Sequence, residues 1–336
     1  MDDPPASGAF VRRMTKTKWL WAGAVVVAAT MWPSAAQAET RWAVIVSGAS
    51  GGEKYAEQML AWRSDLQTTL VNRYGFAPEH VRVFVDETVK TGPQGNAANM
   101  REVFSEIKAK GGQDDFVLVV LLGHGTFDGT VAKFNLVGPD LTASDWTGLL
   151  AGLPGRAAIV NTTEASFPFL ESLATKGRIV ITATDSAAQK YATVFPEYFV
   201  KAMKEASTDL DKNGRTSLYE VFAAASAAVK QHYDQLGQLA TERALLDDNG
   251  DGTGREASAD GPDGGFARIA YLDAENAAQS ADPELAELTR RRRVLETAAE
   301  ELKLRKGEMP ESEWNAQFEK LMVDLAMVSA EIRKKS

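Results

Sequence analysis

The chain has 336 residues, a net charge of −9, a sequence pI near 5.1, 25% charged and 44% hydrophobic residues, and no cysteine. Zero cysteines exclude disulfides, thiolate metal sites and cysteine nucleophiles, and the acidic balance argues against nucleic acid as a partner, whose binders carry a basic footprint. The composition is globular, with room for one large domain or two smaller ones at roughly 100–200 residues each.

Arg12, Arg13, Lys16 and Lys18 precede the apolar run from Trp19 to Ala29, and Ala36-Gln37-Ala38 closes the segment. Basic flank, short apolar core and an Ala-x-Ala end are the parts of a secretory signal peptide, with cleavage expected after Ala38. The run is shorter than the roughly 20 apolar residues of a membrane span. Asp2, Asp3 and two prolines suit the basic flank poorly, which leaves Met14 as an alternative start. Removing 1–38 takes away four basic and two acidic residues, so the mature net charge is about −11. No later segment is long and apolar enough to span a bilayer. The expectation is an exported protein, periplasmic or secreted, with no stable membrane span after cleavage.

Trp42-Ala43-Val44-Ile45-Val46 reads as a buried strand ending at Gly48-Ala49-Ser50-Gly51-Gly52. That glycine turn lacks the spacing of a dinucleotide fingerprint and reads as structural or substrate-facing. Tyr55, Met59, Trp62, Leu66 and Leu70 form a helical stripe. Val81–Val85 is a second strand. Met100, Val103, Phe104 and Ile107 mark a second helix, with Asn99 as its expected cap. Phe116–Leu122 is wholly apolar, the pattern of a central parallel strand covered on both faces. Arg156–Val160 and Arg178–Ile181 repeat the pattern. Strands alternating with helices predict a parallel sheet with helices on both faces, and chemistry beyond the carboxyl ends of the strands.

Gly123-His124-Gly125-Thr126 follows the central strand, and Asn161-Thr162-Thr163-Glu164-Ala165-Ser166-Phe167 follows the next. The chain has only three histidines, and glycines on both sides of His124 allow close backbone approach to a ligand. This arrangement resembles the legumain- and caspase-like cysteine peptidases and the catalytic subunit of the glycosylphosphatidylinositol transamidase, a resemblance that extends over residues 41–255. Gly138-Pro139-Asp140-Leu141 and the strand Ile179–Thr184 belong to it. A bacterial branch of that family is implied.

The departure is at the nucleophile. One alignment of the strand end places Thr163 where the family has cysteine, and another places Glu164 there. Neither is a thiol, and a hydroxyl needs a strong, oriented general base to attack. The resemblance thus implies a peptidase fold that kept its histidine and lost its chemistry. The alternative is an acyl-transfer site in which His124 activates Thr163 or Ser166 beside a backbone oxyanion hole. A polypeptide partner is implied in either case.

Residues 209–220 read Asp-Leu-Asp-Lys-Asn-Gly-Arg-Thr-Ser-Leu-Tyr-Glu, the EF-hand ligand pattern for calcium. Asp209, Asp211 and Asn213 supply side-chain oxygens, Arg215 its carbonyl, Ser217 a water contact and Glu220 a bidentate carboxylate. Thr216, in place of an aliphatic residue at position eight, weakens pairing with a second hand. Asp247-Asp248-Asn249-Gly250-Asp251-Gly252 repeats the first half of the pattern, but position twelve is Ser258. The cluster reads as a loop, with completion of a site by other groups and weak metal binding as the alternative, and the stretch 247–265 as an exposed connection.

Leu288, Leu295 and Leu302 recur every seven residues, and Trp314, Phe318, Leu321, Leu325, Val328 and Ile332 alternate by four and three. This predicts an antiparallel helical hairpin with a coiled-coil-like seam. Arg290–Arg293 reads as a solvated helix face. The expected plan is a signal peptide (1–38), a caspase–haemoglobinase-like α/β domain (39–275) and a helical hairpin (282–336).

Overall fold

The computed structural model describes residues 40–273, 282–307 and 309–335. The expected signal peptide lies outside the described residues.

Five parallel strands build the sheet: β1 (Arg41–Ser47), β2 (Val81–Phe84), β3 (Phe116–Leu122), β7 (Arg156–Asn161) and β8 (Arg178–Thr182). A sixth, β9 (Leu245–Asp247), joins β8 antiparallel, and the order is β2-β1-β3-β7-β8-β9. Every residue of β3 is buried because helices cover both faces. Its side chains alternate. Phe116, Leu118, Val120 and Leu122 enter one core with Leu66 and Leu70 of α1 (Glu53–Asn72), Phe199 of α5 (Phe195–Lys204) and Phe222 of α6 (Leu218–Gln235). Val117, Val119 and Leu121 enter the other with Phe104 of α2 (Ala97–Lys110), Trp146 of α3 (Ala143–Leu150) and Phe169 of α4 (Phe167–Leu173). Each such side chain contributes about 1.5–3 kcal/mol on burial.

A small antiparallel sheet of β4 (Gly125–Phe127), β5 (Ala132–Phe134) and β6 (Leu141–Thr142) stands at the carboxyl end of β3. Strands of two or three residues carry no readable periodicity, so neither this sheet nor β9 is visible in the sequence.

Two local expectations are corrected. The α2 cap is Asn96, whose side chain accepts from the Asn99 N–H at 2.9 Å; Asn99 lies within the helix and donates to the Gln94 carbonyl. The stretch 247–265 is not wholly exposed. Asp247 and Asp248 are fully buried, and Asp248 caps α7 (Gly265–Ile269) by accepting from Gly264 and Ala267 N–H.

Helices α8 (Pro283–Leu304) and α9 (Glu311–Lys335) form the C-terminal hairpin. Trp314 Nε1 donates to the Leu302 carbonyl at one end, and Lys335 pairs with Glu284 at the other, which makes the helices antiparallel. The buried seam contains Leu302, Trp314 and Val328. No helix among the described residues is long and apolar enough to cross a membrane.

Candidate functional site

His124 stands just beyond the carboxyl end of β3, where an open α/β sheet presents ligand-binding groups. Its partner is a carboxylate, not a hydroxyl. His124 Nδ1 lies 3.3 Å from Glu164 Oε1, and the Gly125 N–H donates to Glu164 Oε2, also at 3.3 Å. One carboxylate thus spans the imidazole and the adjacent backbone donor. Tyr55 packs edge-on against the ring with centroids 4.6 Å apart. Gly51 faces the ring edge carrying Cδ2 and Nε2, so the first glycine turn covers the histidine.

The Glu164 hydrogen bond raises the His124 pKa above its ordinary value. Burial opposes it, while the Glu164 charge and the Ser50 backbone act with it. Ser50 is itself held by Glu87, which accepts from its N–H and hydroxyl. Glu164 takes Nδ1, and the other ring nitrogen lies against the Gly51 turn.

Neither Thr163 nor Ser166 makes a hydrogen bond to the ring. Thr163 is fully buried and its Oγ1 has no hydrogen-bond partner. That oxygen lies 2.6 Å from where a Cβ on Gly125 would sit, so the glycine is required for the loop to close over it. Ser166 is also fully buried, and its Oγ accepts from the Ala183 and Thr184 N–H groups and contacts Thr184 Oγ1 at 3.0 Å. Its hydroxyl ties the start of α4 to the end of β8. The structure links His124, Glu164 and the Gly125 N–H by hydrogen bonds; Thr163 Oγ1 lies against Gly125 without a hydrogen bond, and Ser166 bonds to the end of β8.

Beneath the site lies a buried ion pair that the α1 stripe did not indicate. Arg63 Nη1 contacts Asp86 Oδ2 at 3.1 Å and Ser47 Oγ at 2.9 Å. Burial works to raise the Asp86 pKa, but Thr88 and Arg63 outweigh it and hold the carboxyl below the usual range. Arg63 falls four residues after Met59 and three before Leu66, on the buried face of α1, but nothing in the helix itself marks the carboxylate that pairs it.

The 209–220 loop gathers a second set of groups, at the other end of α5. Oxygens of Asp209, Asp211 and Glu220 all lie within 4.8 Å of one another. The Leu210 and Asp211 N–H groups donate to Glu220 Oε1, and Ser217 donates to Oε2 through its N–H and its hydroxyl. Convergent hard oxygens with one buried carboxylate fit a divalent cation such as calcium. Asn213 Oδ1 accepts from the Arg215 N–H, and the Arg215 guanidinium lies 3.7 Å over the Tyr271 ring. The Ser217 hydroxyl closes the α6 capping box instead of projecting into the loop. Position eight pairs with the chain's own segment: the Leu272 N–H donates to the Thr216 carbonyl, and the Leu218 N–H to that of Ala270.

Solved structures with a similar fold include the Drosophila initiator caspase Dronc, at 11% identity and a TM-score of 0.41 over 65% of this chain and 82% of that one. A Geobacter sulfurreducens protein is similar at 12% identity and a TM-score of 0.41, over 62% of this chain and 92% of that one. No protein-family model matches the chain, the legumain-like peptidases included, and no curated protein matches it. The class of the protein is α/β, with a mostly parallel six-stranded sheet between two helical layers.

Proposed function

We propose that this is an exported, non-catalytic relative of the caspase-like peptidases, a polypeptide-binding or scaffold module with calcium held in the 209–220 loop. The observation that carries the reading is Glu164. Its carboxylate takes His124 Nδ1 and the Gly125 N–H, the donor that an oxyanion beside His124 would need. Thr163 and Ser166, the alternative nucleophiles, are buried with no hydrogen bond to the ring. The signal-like N-terminus supports export, and the resemblance to peptidases supports a polypeptide as the partner. In the calcium loop, Asp209, Asp211, Asn213 and Glu220 would hold the ion and the Arg215 carbonyl would complete the set.

Purified residues 39–336 incubated with peptide libraries, with and without calcium, should give no cleavage. Cleavage that His124→Ala abolishes would overturn the non-catalytic reading. Calorimetric titration should show calcium binding that Glu220→Gln weakens at least tenfold; equal affinity in both would remove this loop as the site.

A further inference from the structure

The two edges of the six-stranded sheet are finished differently. On the outer side of β9, Leu246 exchanges both backbone hydrogen bonds with Arg255 at 2.9 Å, so that edge is covered. At the other edge, β2 pairs with no strand but β1, along its inner side. Alternate residues of such a strand turn their N–H and C=O inward and outward. Val85, just past β2, turns outward: its N–H donates to the Pro93 carbonyl at 2.9 Å, and its carbonyl accepts from the Gly95 N–H at 2.8 Å. Val83, two residues earlier, turns the same way, and neither its N–H nor its carbonyl has a partner among the described residues. The Val81 carbonyl is open in the same row, while the Val81 N–H is taken by the Pro78 carbonyl. Sheet edges are ordinarily blunted by proline, lysine, a bulge or a covering segment. Here the covering segment, residues 93–95, stops short of Val83.

The open stretch lies in a groove of about 400 Å³, lined by Gln67 of α1 and by Asn99, Glu102 and Glu106 of α2. The Val83 side chain is partly buried against the core on the α1 side. On the α2 side Arg82 pairs with Glu106, and the Arg82 Nε is buried with no hydrogen-bond partner. Glu102 is exposed and makes no ion pair among the described residues.

We propose that the outer edge of β2 is a docking site for an extended polypeptide, which joins the sheet as a further strand. A polypeptide main chain offers donors and acceptors at strand spacing, and so meets the Val83 N–H, the Val83 carbonyl and the Val81 carbonyl together. In strand addition these main-chain bonds supply the affinity, and alternate side chains supply the specificity. Side chains of the added strand turn alternately to the two helices. An apolar one packs on Val83 at the α1 side, and a basic one meets Glu102 at the α2 side. The inference does not rest on the loss of catalysis: peptide cleavage that depends on His124 would overturn that reading and leave this edge unchanged.

Residues 39–336 titrated with the peptide acetyl-Val-Lys-Val-Lys-Val-Lys-amide, with amide exchange followed by NMR, give the test. In the protein alone the Val83 N–H should exchange rapidly, while those of Arg82 and Phe84, bonded to β1, are protected. The peptide should slow Val83 exchange by about tenfold or more. Val83→Pro removes the outward donor, a change tolerated at a strand edge, and should weaken peptide binding about tenfold. Glu102→Lys alters an exposed side chain, so it folds even if Val83→Pro does not, and it should also weaken binding. No binding, or binding that leaves the Val83 amide unprotected, would overturn the inference. Equal affinity for acetyl-Val-Glu-Val-Glu-Val-Glu-amide would overturn the role of Glu102. A Val83 amide already protected without peptide, in protein that sediments as a dimer, would make a second copy the occupant and overturn the peptide.

Discussion

Glu164→Gln removes the carboxylate whose hydrogen bond raises the His124 pKa. The histidine is protonated more readily in the fold than in the unfolded chain, where its value is near 6.5. The stability this supplies is therefore fully present below pH about 6.5 and is lost as pH rises through the folded value. NMR titration of the ring should show a lower pKa in Glu164→Gln, and the stability difference from wild type should shrink as pH rises. An unchanged pKa would mean that Glu164 is not the group holding the proton. Thr163 gives a second test at this scale. Its hydroxyl is buried without a partner, so Thr163→Val keeps the shape and removes an unsatisfied group. Urea unfolding should show stability raised by about 1 kcal/mol. A loss of stability would show that the hydroxyl makes a bond absent from this geometry.

Helix α1 connects the His124 neighbourhood to the core. Its apolar face sits on β1 and β3, while Arg63 reaches Asp86 and Ser47 at the carboxyl ends of β2 and β1. Removing one partner of a buried ion pair leaves the other charge uncompensated, so Asp86→Asn should cost about 3–5 kcal/mol in denaturant unfolding. The Asp86 carboxyl is held low, so its contribution is present above the ordinary carboxylate pKa and fades as pH falls through the folded value. The wild-type advantage over Asp86→Asn should accordingly narrow under acid. The seven apolar residues of β3 and the stripe of α1 were legible because each burial pattern has its own period. Arg63 was not, since its burial depends on a carboxylate on a different element.

At the scale of the whole molecule, the two cores on either side of the sheet include, among the described residues, none of α8 or α9. The hairpin closes on itself through Trp314, Leu302 and the Lys335–Glu284 pair. Residues 39–281 should therefore unfold in one cooperative transition when 282–336 is deleted. A broad or absent transition in guanidinium would show that the hairpin completes the domain. The two acidic loops and the His124 site belong to different ends of the strands, because α5 runs back from the carboxyl ends to deliver residues 205–217. The 209–220 loop and the His124 site are thus separate features of one frame.

The sequence by itself determined the alternation of strands and helices, the location of His124 at a strand end, the C-terminal hairpin and the absence of any thiol. These follow from residue type and local period, which neighbours in the chain decide. Which of Thr163, Glu164 and Ser166 meets the histidine was left to the tertiary structure. Three residues in one turn point in different directions, and only the close approach of Gly125 and the end of β8 selects Glu164 for the ring. The same holds for Asp263. Its carboxylate joins a loop that begins sixteen residues earlier, because α7 and its cap on Asp248 fold the chain back over it. Distances between groups far apart in the chain are set by packing, and that is where the chemistry of this protein was decided.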